Sequence, residues 1–422
     1  MLQHIKHFLY FPVASYFRFF ASIQLHRWHP TVIVATGSSG KTTLLHLIEA
    51  QLGHKARYSH HANSIYGIPF DILGLSRKSL TRIEWLYLFF ATPFRAFRKP
   101  YREPLYVVEA DADRPNEAKL LAYFLKPAVT LWTGVSKTHT MNFDALVEAK
   151  KFLSVEDAIG YEFGYFAQTT KDVVIANGEN IQVLNEIKRT RAQKIFTTKH
   201  DLKQYQLTKR TTTFRIKEQT FVLPFLLPEE TYMSLAMVRE LLLLLNLPLD
   251  PSFRLLTLPP GRSSVFAGIK QTTIIDSSYN ATPEGTKTIL SLYTKYPAKE
   301  KWAVLGDMIE LGGEEKEEHE KLAEEIAKGN FDKIILVGTR VTTYTYPVLH
   351  ALQPVLPVVT FEQPKDVLVF LLQEIKGNET ILFKGARFLE GIIEHLLIDK
   401  RDFANLCRRE KIWHIRRKQW RL

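Results

Sequence analysis

One segment near the N-terminus constrains the fold more than any other part of the chain. The β-branched run at residues 32–34 leads into a small-residue loop, Thr36-Gly37-Ser38-Ser39-Gly40-Lys41-Thr42-Thr43, and then into an amphipathic stretch. This order predicts a strand, a tight loop and a helix. Glycines let loop N–H groups turn towards phosphate oxygens, Lys41 can reach the β- and γ-phosphates, and Thr42 can bind Mg²⁺. The segment predicts a phosphate-binding loop, although Ala35 replaces the first glycine of the full pattern.

Strand-like and helix-like runs alternate along the rest of the chain. Strands are predicted at residues 105–108, 129–132 and 173–176 and, after a proline-rich stretch, at 273–276, 302–305, 333–337 and 381–384. Such alternation predicts parallel sheets covered by helices, hence an α/β fold. We predict an aromatic and basic N-terminal segment (1–30), two α/β domains (31–250 and 251–398) and a basic tail (399–422).

Composition narrows the class of protein. At 422 residues with 45% apolar content, the chain is long enough for two or three folded domains. Its one cysteine, Cys407, excludes an intrachain disulfide and a cysteine-clustered metal site. The net charge of +12 points to a polyanionic partner. No zinc-finger, RNP-like or helix-turn-helix motif is present, so nucleic acid is disfavoured.

The positive charge is concentrated at the ends of the chain. Residues 399–422 contain nine basic and three acidic residues together with Trp413 and Trp420. The apolar stretch 8–23 is too short to span a bilayer, and residues 85–102 have the same aromatic and basic character. These segments suit an anionic membrane surface, and helices packed on the body or solvated helix ends are the alternatives.

Acidic residues follow the strand predicted at 105–108, and a histidine follows the next. Glu109 and Asp113 lie at the carboxyl end of a predicted parallel strand, where ligands bind in such sheets. Glu109 is the predicted Mg²⁺ ligand, with Asp113 next, although such acids also cap helices. His139 follows the strand at 129–132, so the same sheet edge would carry it.

Several motifs in one order resemble the Mur ligase superfamily, most of all its MurF type, which joins D-alanyl-D-alanine to a UDP-N-acetylmuramoyl tripeptide. The matching segments are TGSSGKTT from Thr36, NSIYGIP from Asn63, EADADRPNEAKLLAYFLKPAV from Glu109, His139, EAKKF from Glu148, PGR from Pro260, IIDSSYNATPEG from Ile274, AVLGDMIELGGEE from Ala303 and KGAR from Lys384. The resemblance implies a P-loop central ATPase domain with a parallel sheet and a C-terminal Rossmann-like α/β domain. It also implies a cytoplasmic ligase that phosphorylates a carboxylate with ATP and Mg²⁺ and then forms an amide.

The resemblance also assigns roles to residues. ATP contacts are implied for Gly37, Ser38, Ser39, Gly40, Lys41, Thr42, Thr43, Arg262, Asp276, Tyr279 and Asn280. Metal ligands are implied for Thr42, Glu109, His139 and, if carbamylated, Lys150, with Lys41, Glu109, His139 and Lys150 as the catalytic set. Substrate contacts are implied for Asn63, Ser64, Asp113, Arg114, Lys384 and Arg387.

The sequence departs from the MurF pattern on the substrate side. About 30 residues precede the phosphate-loop strand, whereas the MurF type has a whole domain there for the uridine nucleotide. Ser277 and Ser278 stand where Asp and Thr are more usual. Two alternatives to a MurF-type ligase therefore stay open: a ligase with a lipid-linked or otherwise untethered acceptor, and a nucleotide-dependent regulatory protein without catalysis. The membrane-like ends favour attachment at the inner face of a membrane.

Overall fold

The computed structural model describes residues 2–60, 62–77, 81–137, 140–385, 388–409, 413 and 417. The chain forms two compact units. Unit 1 comprises Met1–Ser136, Ala145–Asp201 and Met233–Leu256, and unit 2 comprises Lys137–Asp144, Leu202–Tyr232 and Thr257–Leu422. The predicted α/β fold is confirmed in both units, whereas the predicted domain limits at residues 30, 250 and 398 stay a prediction.

Unit 1 is built on a six-stranded parallel sheet. Its strands are β1 (Thr31–Thr36), β2 (Ala56–Tyr58), β3 (Leu105–Ala110), β4 (Val129–Trp132), β5 (Val173–Asn177) and β6 (Gln193–Thr197). They lie in the order β2-β3-β1-β4-β5-β6, so β1 is flanked by β3 and β4. The carboxyl ends of these three strands meet at one edge, where parallel sheets bind their ligands.

Helices cover the unit 1 sheet. They are α1 (Leu2–Trp28), α2 (Lys41–Leu52), α3 (Gly67–Leu73), α4 (Arg82–Ala96), α5 (Glu117–Leu125), α6 (Asp144–Glu148), α7 (Val155–Thr169), α8 (Ile181–Glu186) and α9 (Thr231–Leu244). Strands β1, β3 and β4 are buried along nearly their whole length, as expected for a sheet with helices on both faces.

Helix α1 packs on the body of unit 1. Its residue Phe17 is fully buried, with ring centroids 4.8 Å from Phe70 of α3 and 5.0 Å from Phe89 of α4. The Tyr16 hydroxyl donates to the Phe89 carbonyl at 2.8 Å. The face of α1 that carries Tyr16 and Phe17 therefore packs on the body of the unit, which is one of the two predicted alternatives for the N-terminal segment. None of the described helices combines the length and apolar character that crossing a bilayer requires.

Unit 2 contains a second six-stranded sheet and a smaller antiparallel one. The large sheet is formed by β10 (Ser264–Ala267), β11 (Thr273–Asp276), β12 (Lys301–Gly306), β13 (Lys333–Val337), β14 (Val358–Phe361) and β15 (Thr380–Lys384). Its order is β10-β11-β15-β12-β13-β14, and only the β10 pairing is antiparallel. Strands β7 (Leu202–Leu207), β8 (Thr212–Ile216) and β9 (Gln219–Leu223) form an antiparallel meander.

Helices cover both faces of the large unit 2 sheet. They are α10 (Pro283–Lys295), α11 (Glu315–Ala327), α12 (Tyr346–Leu352), α13 (Pro364–Glu374) and α14 (Leu389–Leu396). Adjacent strand residues point to opposite faces, so Ile275 packs with α10 and α11, whereas Ile274 packs with α13 and α14. This arrangement is the doubly covered, Rossmann-like layer structure.

Part of the basic tail also packs on unit 2. Arg408 contacts Glu390 of α14 at 3.0 Å, and Arg409 and Arg417 both contact Glu394 of the same helix at 2.9 Å. Each of these three arginines therefore has an ion partner within the unit, although Arg409 and Arg417 share one carboxylate. Of residues 410–422, only 413 and 417 are described, so most of the predicted membrane-binding tail lies outside the described residues.

Candidate active site

The loop between β1 and α2 has the backbone that a phosphate site needs. Gly37 and Gly40 adopt φ angles of 125° and 80°, which side chains rarely allow. A Cβ at Gly37 would lie 2.3 Å from the Thr133 Oγ1 atom and 2.7 Å from the Gly134 carbonyl oxygen. Glycine is therefore required at Gly37 by both conformation and space.

Lys41, the first residue of α2, is folded back over this loop. Its side chain is 6% exposed, and its Nζ atom donates to the carbonyls of Gly37 and Ser38. The same atom lies 3.0 Å from the Oδ2 atom of Asp111, just after β3. The ammonium group is thus paired with a carboxylate at the edge of the sheet. An incoming phosphate would compete with Asp111 for it.

Thr42 and Glu109 bring oxygen ligands together beside Lys41. The Thr42 hydroxyl donates to the Glu109 carboxylate at 3.1 Å, and Glu109 is 8% exposed at the end of β3. The backbone N–H of Glu109 donates to the Ser59 hydroxyl at 3.0 Å, which fixes the strand end. A hydroxyl next to a carboxylate suits Mg²⁺, a hard cation that prefers oxygen ligands. These residues therefore fit the implied metal.

The loop after β4 supports the phosphate loop from the other side. The Thr133 hydroxyl contacts the Ser39 carbonyl at 2.6 Å, and the Ser38 hydroxyl exchanges hydrogen bonds of 3.0 Å with the Ser136 backbone. Asn177, at the end of β5, donates to the Thr133 carbonyl at 2.9 Å. The end of β5 therefore supports the loop after β4, which in turn contacts the phosphate loop.

Two predicted substrate segments meet next to this site. The Asn63 carbonyl accepts from the Asp111 N–H at 2.9 Å, and the Ser64 hydroxyl accepts from the Gly67 N–H at 3.1 Å at the start of α3. The Asn63–Ser64 segment is thus joined to the loop after β3, which carries Asp113 and Arg114.

Helix α1 contacts the same loop through Tyr10. Its hydroxyl donates to the buried Glu117 carboxylate at 2.5 Å, and the other carboxylate oxygen accepts from the Asp113 N–H at 3.0 Å. The Arg114 guanidinium lies 4.8 Å from the Tyr10 ring centroid. Burial raises the pKa of Glu117 to about 7, against the hydrogen bond from Tyr10, which lowers it. Helix α1 therefore stabilises the loop after β3, which carries the predicted substrate contacts Asp113 and Arg114.

The other two predicted metal ligands are His139 and Lys150. His139 lies outside the described residues. Lys150 follows the end of α6 with a φ of 54°, and the side chains of Lys150 and Lys151 are both exposed. The carbamylated-lysine role therefore stays a prediction.

Three of the predicted nucleotide contacts of unit 2 lie at the end of β11 or just after it, namely Asp276, Tyr279 and Asn280. Asp276 is fully buried, and its Oδ1 atom accepts from the Ser278 hydroxyl at 2.6 Å and from the Ser278 N–H at 2.9 Å. Burial raises the pKa of Asp276, while these hydrogen bonds oppose the rise. The Arg262 guanidinium lies 5.0 Å from the ring centroid of Tyr279, which is exposed like Asn280.

Lys384 lies at the end of β15, beside β11. Its side chain is buried, and burial, reinforced by the positive charge of Arg262 and opposed by Asp276, lowers the pKa of its ammonium group to about 7. Its Nζ atom is 3.8 Å from the position that a Cβ would take at Gly285, in the first turn of α10. A buried lysine of this kind is a candidate for a functional role. Arg387 lies outside the described residues.

The sequence did not predict the residues that position the side chains of this site. Asp111 is the ion partner of Lys41, Ser59 anchors Glu109, and Tyr10 lies 107 positions from Glu117 in sequence. Asp111 alone had a signal, because it lies within the acidic cluster after β3.

The fold and site define a class: a P-loop protein with Thr42 and Glu109 side by side in unit 1 and a Rossmann-like unit 2. The family model described as "Mur ligase, glutamate ligase domain" matches residues 261–387. UDP-N-acetylmuramoyl-tripeptide--D-alanyl-D-alanine ligases of Rickettsia prowazekii and Bacillus subtilis are each 23% identical, over 67% and 87% of this chain. The alignments span 63% and 76% of those proteins, so less than two thirds of the Rickettsia protein is represented.

Solved structures agree with the sequence relatives. The MurF ligase from Thermotoga maritima, solved in complex with ADP, has a TM-score of 0.71 at 22% identity, covering 90% of this chain and 83% of that one. A MurF from Acinetobacter baumannii has a TM-score of 0.70 at 19% identity, covering 89% of this chain and 78% of that one. The chain resembles the Mur ligase superfamily and, within it, the MurF type.

Proposed function

We propose that the protein is an ATP-dependent amide ligase of the Mur type that adds D-alanyl-D-alanine to a muramyl tripeptide precursor for the cell wall. The observation that supports this most is the joint placement of Lys41, Thr42, Glu109 and Asp111 at one sheet edge, in a chain whose residues 261–387 match the Mur ligase glutamate ligase domain. The names of the sequence relatives supply the substrates of the proposal.

The proposed reaction activates a carboxylate by phosphorylation. A carboxylate is a poor electrophile, and transfer of the ATP γ-phosphoryl group gives an acyl phosphate, which the amine attacks with loss of phosphate. Loop N–H groups and Lys41 would hold the phosphates and offset their charge. Thr42 and Glu109 would hold Mg²⁺, which supplies further charge neutralisation when bound. His139 and Lys150 stay proposed as further metal ligands.

The substrate side of the proposal rests on two groups of residues. In unit 1, Asn63, Ser64, Asp113 and Arg114 surround the loop after β3 and would orient the acceptor carboxylate. In unit 2, Lys384 and Arg387 would face the amino substrate or its carboxylate, and Arg262, Asp276, Tyr279 and Asn280 stay proposed nucleotide contacts.

The test is a coupled measurement of phosphate release and amide formation. Purified protein is incubated with ATP, Mg²⁺, UDP-muramyl tripeptide and D-Ala-D-Ala, and product is identified by mass. Lys41→Ala is expected to abolish both signals, and Lys171→Ala, which changes an exposed lysine of unit 1, is the matched control. If the wild type forms no amide with this pair, the proposed substrates are wrong. If Lys41→Ala turns over normally, the phosphate site is wrong.

We also propose a cytoplasmic location, peripheral at the inner face of an anionic membrane. The aromatic and basic composition of residues 1–30, 85–102 and 399–422 supports this attachment. A lipid-linked acceptor is the second candidate substrate, favoured by the same features. Phosphate release that depends on a membrane-embedded acceptor would select it over the UDP-linked one.

A further inference from the structure

Helix α4 has two apolar faces, and one of them packs inside unit 1. Leu88, Thr92 and Ala96 are fully buried on this inner face. Trp85 and Phe89 complete it, with ring centroids 6.0 and 5.0 Å from Phe17 of α1. The burial of this face accounts for the stability of α4 in the fold.

The opposite face of α4 is apolar as well, yet it is exposed. We call it the α4 outer face, and it comprises Ile83, Leu86, Tyr87, Phe90, Phe94 and Phe97. The spacing of three or four residues places these side chains along one stripe. Phe90 is 73% exposed, Phe94 81% and Ile83 79%. A continuous apolar stripe on the surface marks an interaction site, since monomeric proteins rarely expose one.

The charge around this stripe is mainly positive. Residues 81–102 contain five basic residues and one acidic residue, Glu84. Arg95, Lys99 and Arg102 are exposed at or beyond the C-terminal end of α4. Arg27 of α1 adds a charge there, because its guanidinium donates to the Ala96 and Arg98 carbonyls at 3.2 and 2.9 Å. The outer face therefore ends in a basic cluster.

We propose that the α4 outer face binds the surface of a bilayer that contains anionic lipid. The Phe and Ile side chains enter the interfacial region, and the basic cluster contacts lipid phosphates. A second copy of the chain fits less well, because a two-fold contact through this face would bring like charges from both copies together. The tail contributes less than its sequence predicts, since Arg408, Arg409 and Arg417 are paired with α14.

This inference deepens the proposed membrane attachment and rests on it, but it is independent of the ligase chemistry. It assigns the contact to an internal helix of unit 1 rather than to the ends of the chain. Its failure can therefore be distinguished from a failure of the attachment itself.

The experiment measures co-sedimentation with phosphatidylcholine vesicles that contain about 30% phosphatidylglycerol. The full chain is compared with Phe90→Ser/Phe94→Ser, with Arg95→Glu/Lys99→Glu and with a chain ending at Arg409. The matched control is Leu352→Ser/Val355→Ser, which removes two exposed apolar side chains from unit 2. Circular dichroism and urea unfolding verify that each variant is folded.

We expect both α4 variants to lower the partition coefficient by at least about tenfold, and the control and the shortened chain to bind like wild type. A Phe94→Trp variant, which keeps the stripe apolar, is expected to show blue-shifted emission with vesicles. Loss of binding in the shortened chain alone would overturn the inference and leave the attachment standing. No binding by the wild type would overturn both. A wild-type dimer that the serines dissociate, without vesicle binding, would assign the face to a second copy instead.

Discussion

Replacing Lys384 by methionine should stabilise the protein at neutral and acidic pH. In the folded chain, burial lowers the pKa of Lys384 to about 7, whereas an unfolded lysine titrates near 10.5. Above pH 7 the unfolded chain therefore binds a proton that the folded chain lacks, so stability rises with pH until about 10.5. Below pH 7 both states are protonated, and the cost of burying the charge is present in full.

The magnitude follows from the separation of the two pKa values. A separation of about 3.5 pH units at about 1.36 kcal/mol per unit gives an upper limit of about 5 kcal/mol. Methionine matches the length of the lysine stem and carries no charge. We therefore expect Lys384→Met to gain about 2 to 4 kcal/mol at pH 6 and to lose this advantage by about pH 10.

The assay is urea unfolding at several pH values for wild type, Lys384→Met and Lys365→Met, the last being an exposed lysine on α13. A titration of the lysine ¹³Cε resonances, with Lys384 assigned by its absence in the variant, gives the pKa directly. Identical pH dependence of wild type and Lys384→Met, or a resonance midpoint above about 10, would refute the reasoning. If Lys384 also faces substrate, the stabilised variant loses amide formation.

Three further predictions concern buried groups and the phosphate loop. Because the pKa of Glu117 is raised to about 7, the folded chain holds an extra proton between about pH 4.5 and 7 and loses stability as pH rises through that window. Glu117→Gln should flatten this part of the unfolding curve, and an unchanged slope would contradict the assignment. Gly37→Ala should weaken ATP binding at least about tenfold in calorimetry, because its Cβ would meet the Thr133 hydroxyl at 2.3 Å. Gly313→Ala, where a Cβ meets nothing within 4 Å, should bind normally. Arg408→Met leaves the buried Glu390 without its ion partner at 3.0 Å and should cost about 3 to 5 kcal/mol, read as a lower Tm.

The sequence predicted the features that depend on neighbouring residues. The phosphate loop, the strands that flank it and the helix α10 follow from local periodicity and glycine placement, and the structure places them where the patterns indicate. The proximity of Thr42 and Glu109 could also be predicted, because Glu109 follows a predicted strand and Thr42 lies at the start of a predicted helix.

The contacts that bring distant segments together could not be predicted in the same way. Tyr10 and Glu117 are joined across 107 positions, and nothing in the local pattern of α1 distinguishes Tyr10 from the other aromatic residues. The tail arginines had the composition of a solvated or lipid-binding run, but α14 supplies the acids that pair with three of them. Long-range partners of charged and aromatic groups are set by tertiary packing, which periodicity does not encode.

The way the chain is divided between the two units affects how it can be synthesised and dissected. Unit 1 receives its last segment, Met233–Leu256, only after two segments of unit 2 have been made. During translation neither unit can form its complete set of contacts until residue 256 has left the ribosome. The earlier segments of unit 1 are therefore without the segment Met233–Leu256 while they begin to fold. A gene cut at any single position leaves at least one unit without part of its chain. A stop codon after Leu256 would keep every segment of unit 1, but also the unit 2 segments Lys137–Asp144 and Leu202–Tyr232, so unit 1 free of unit 2 sequence requires the removal of those two segments.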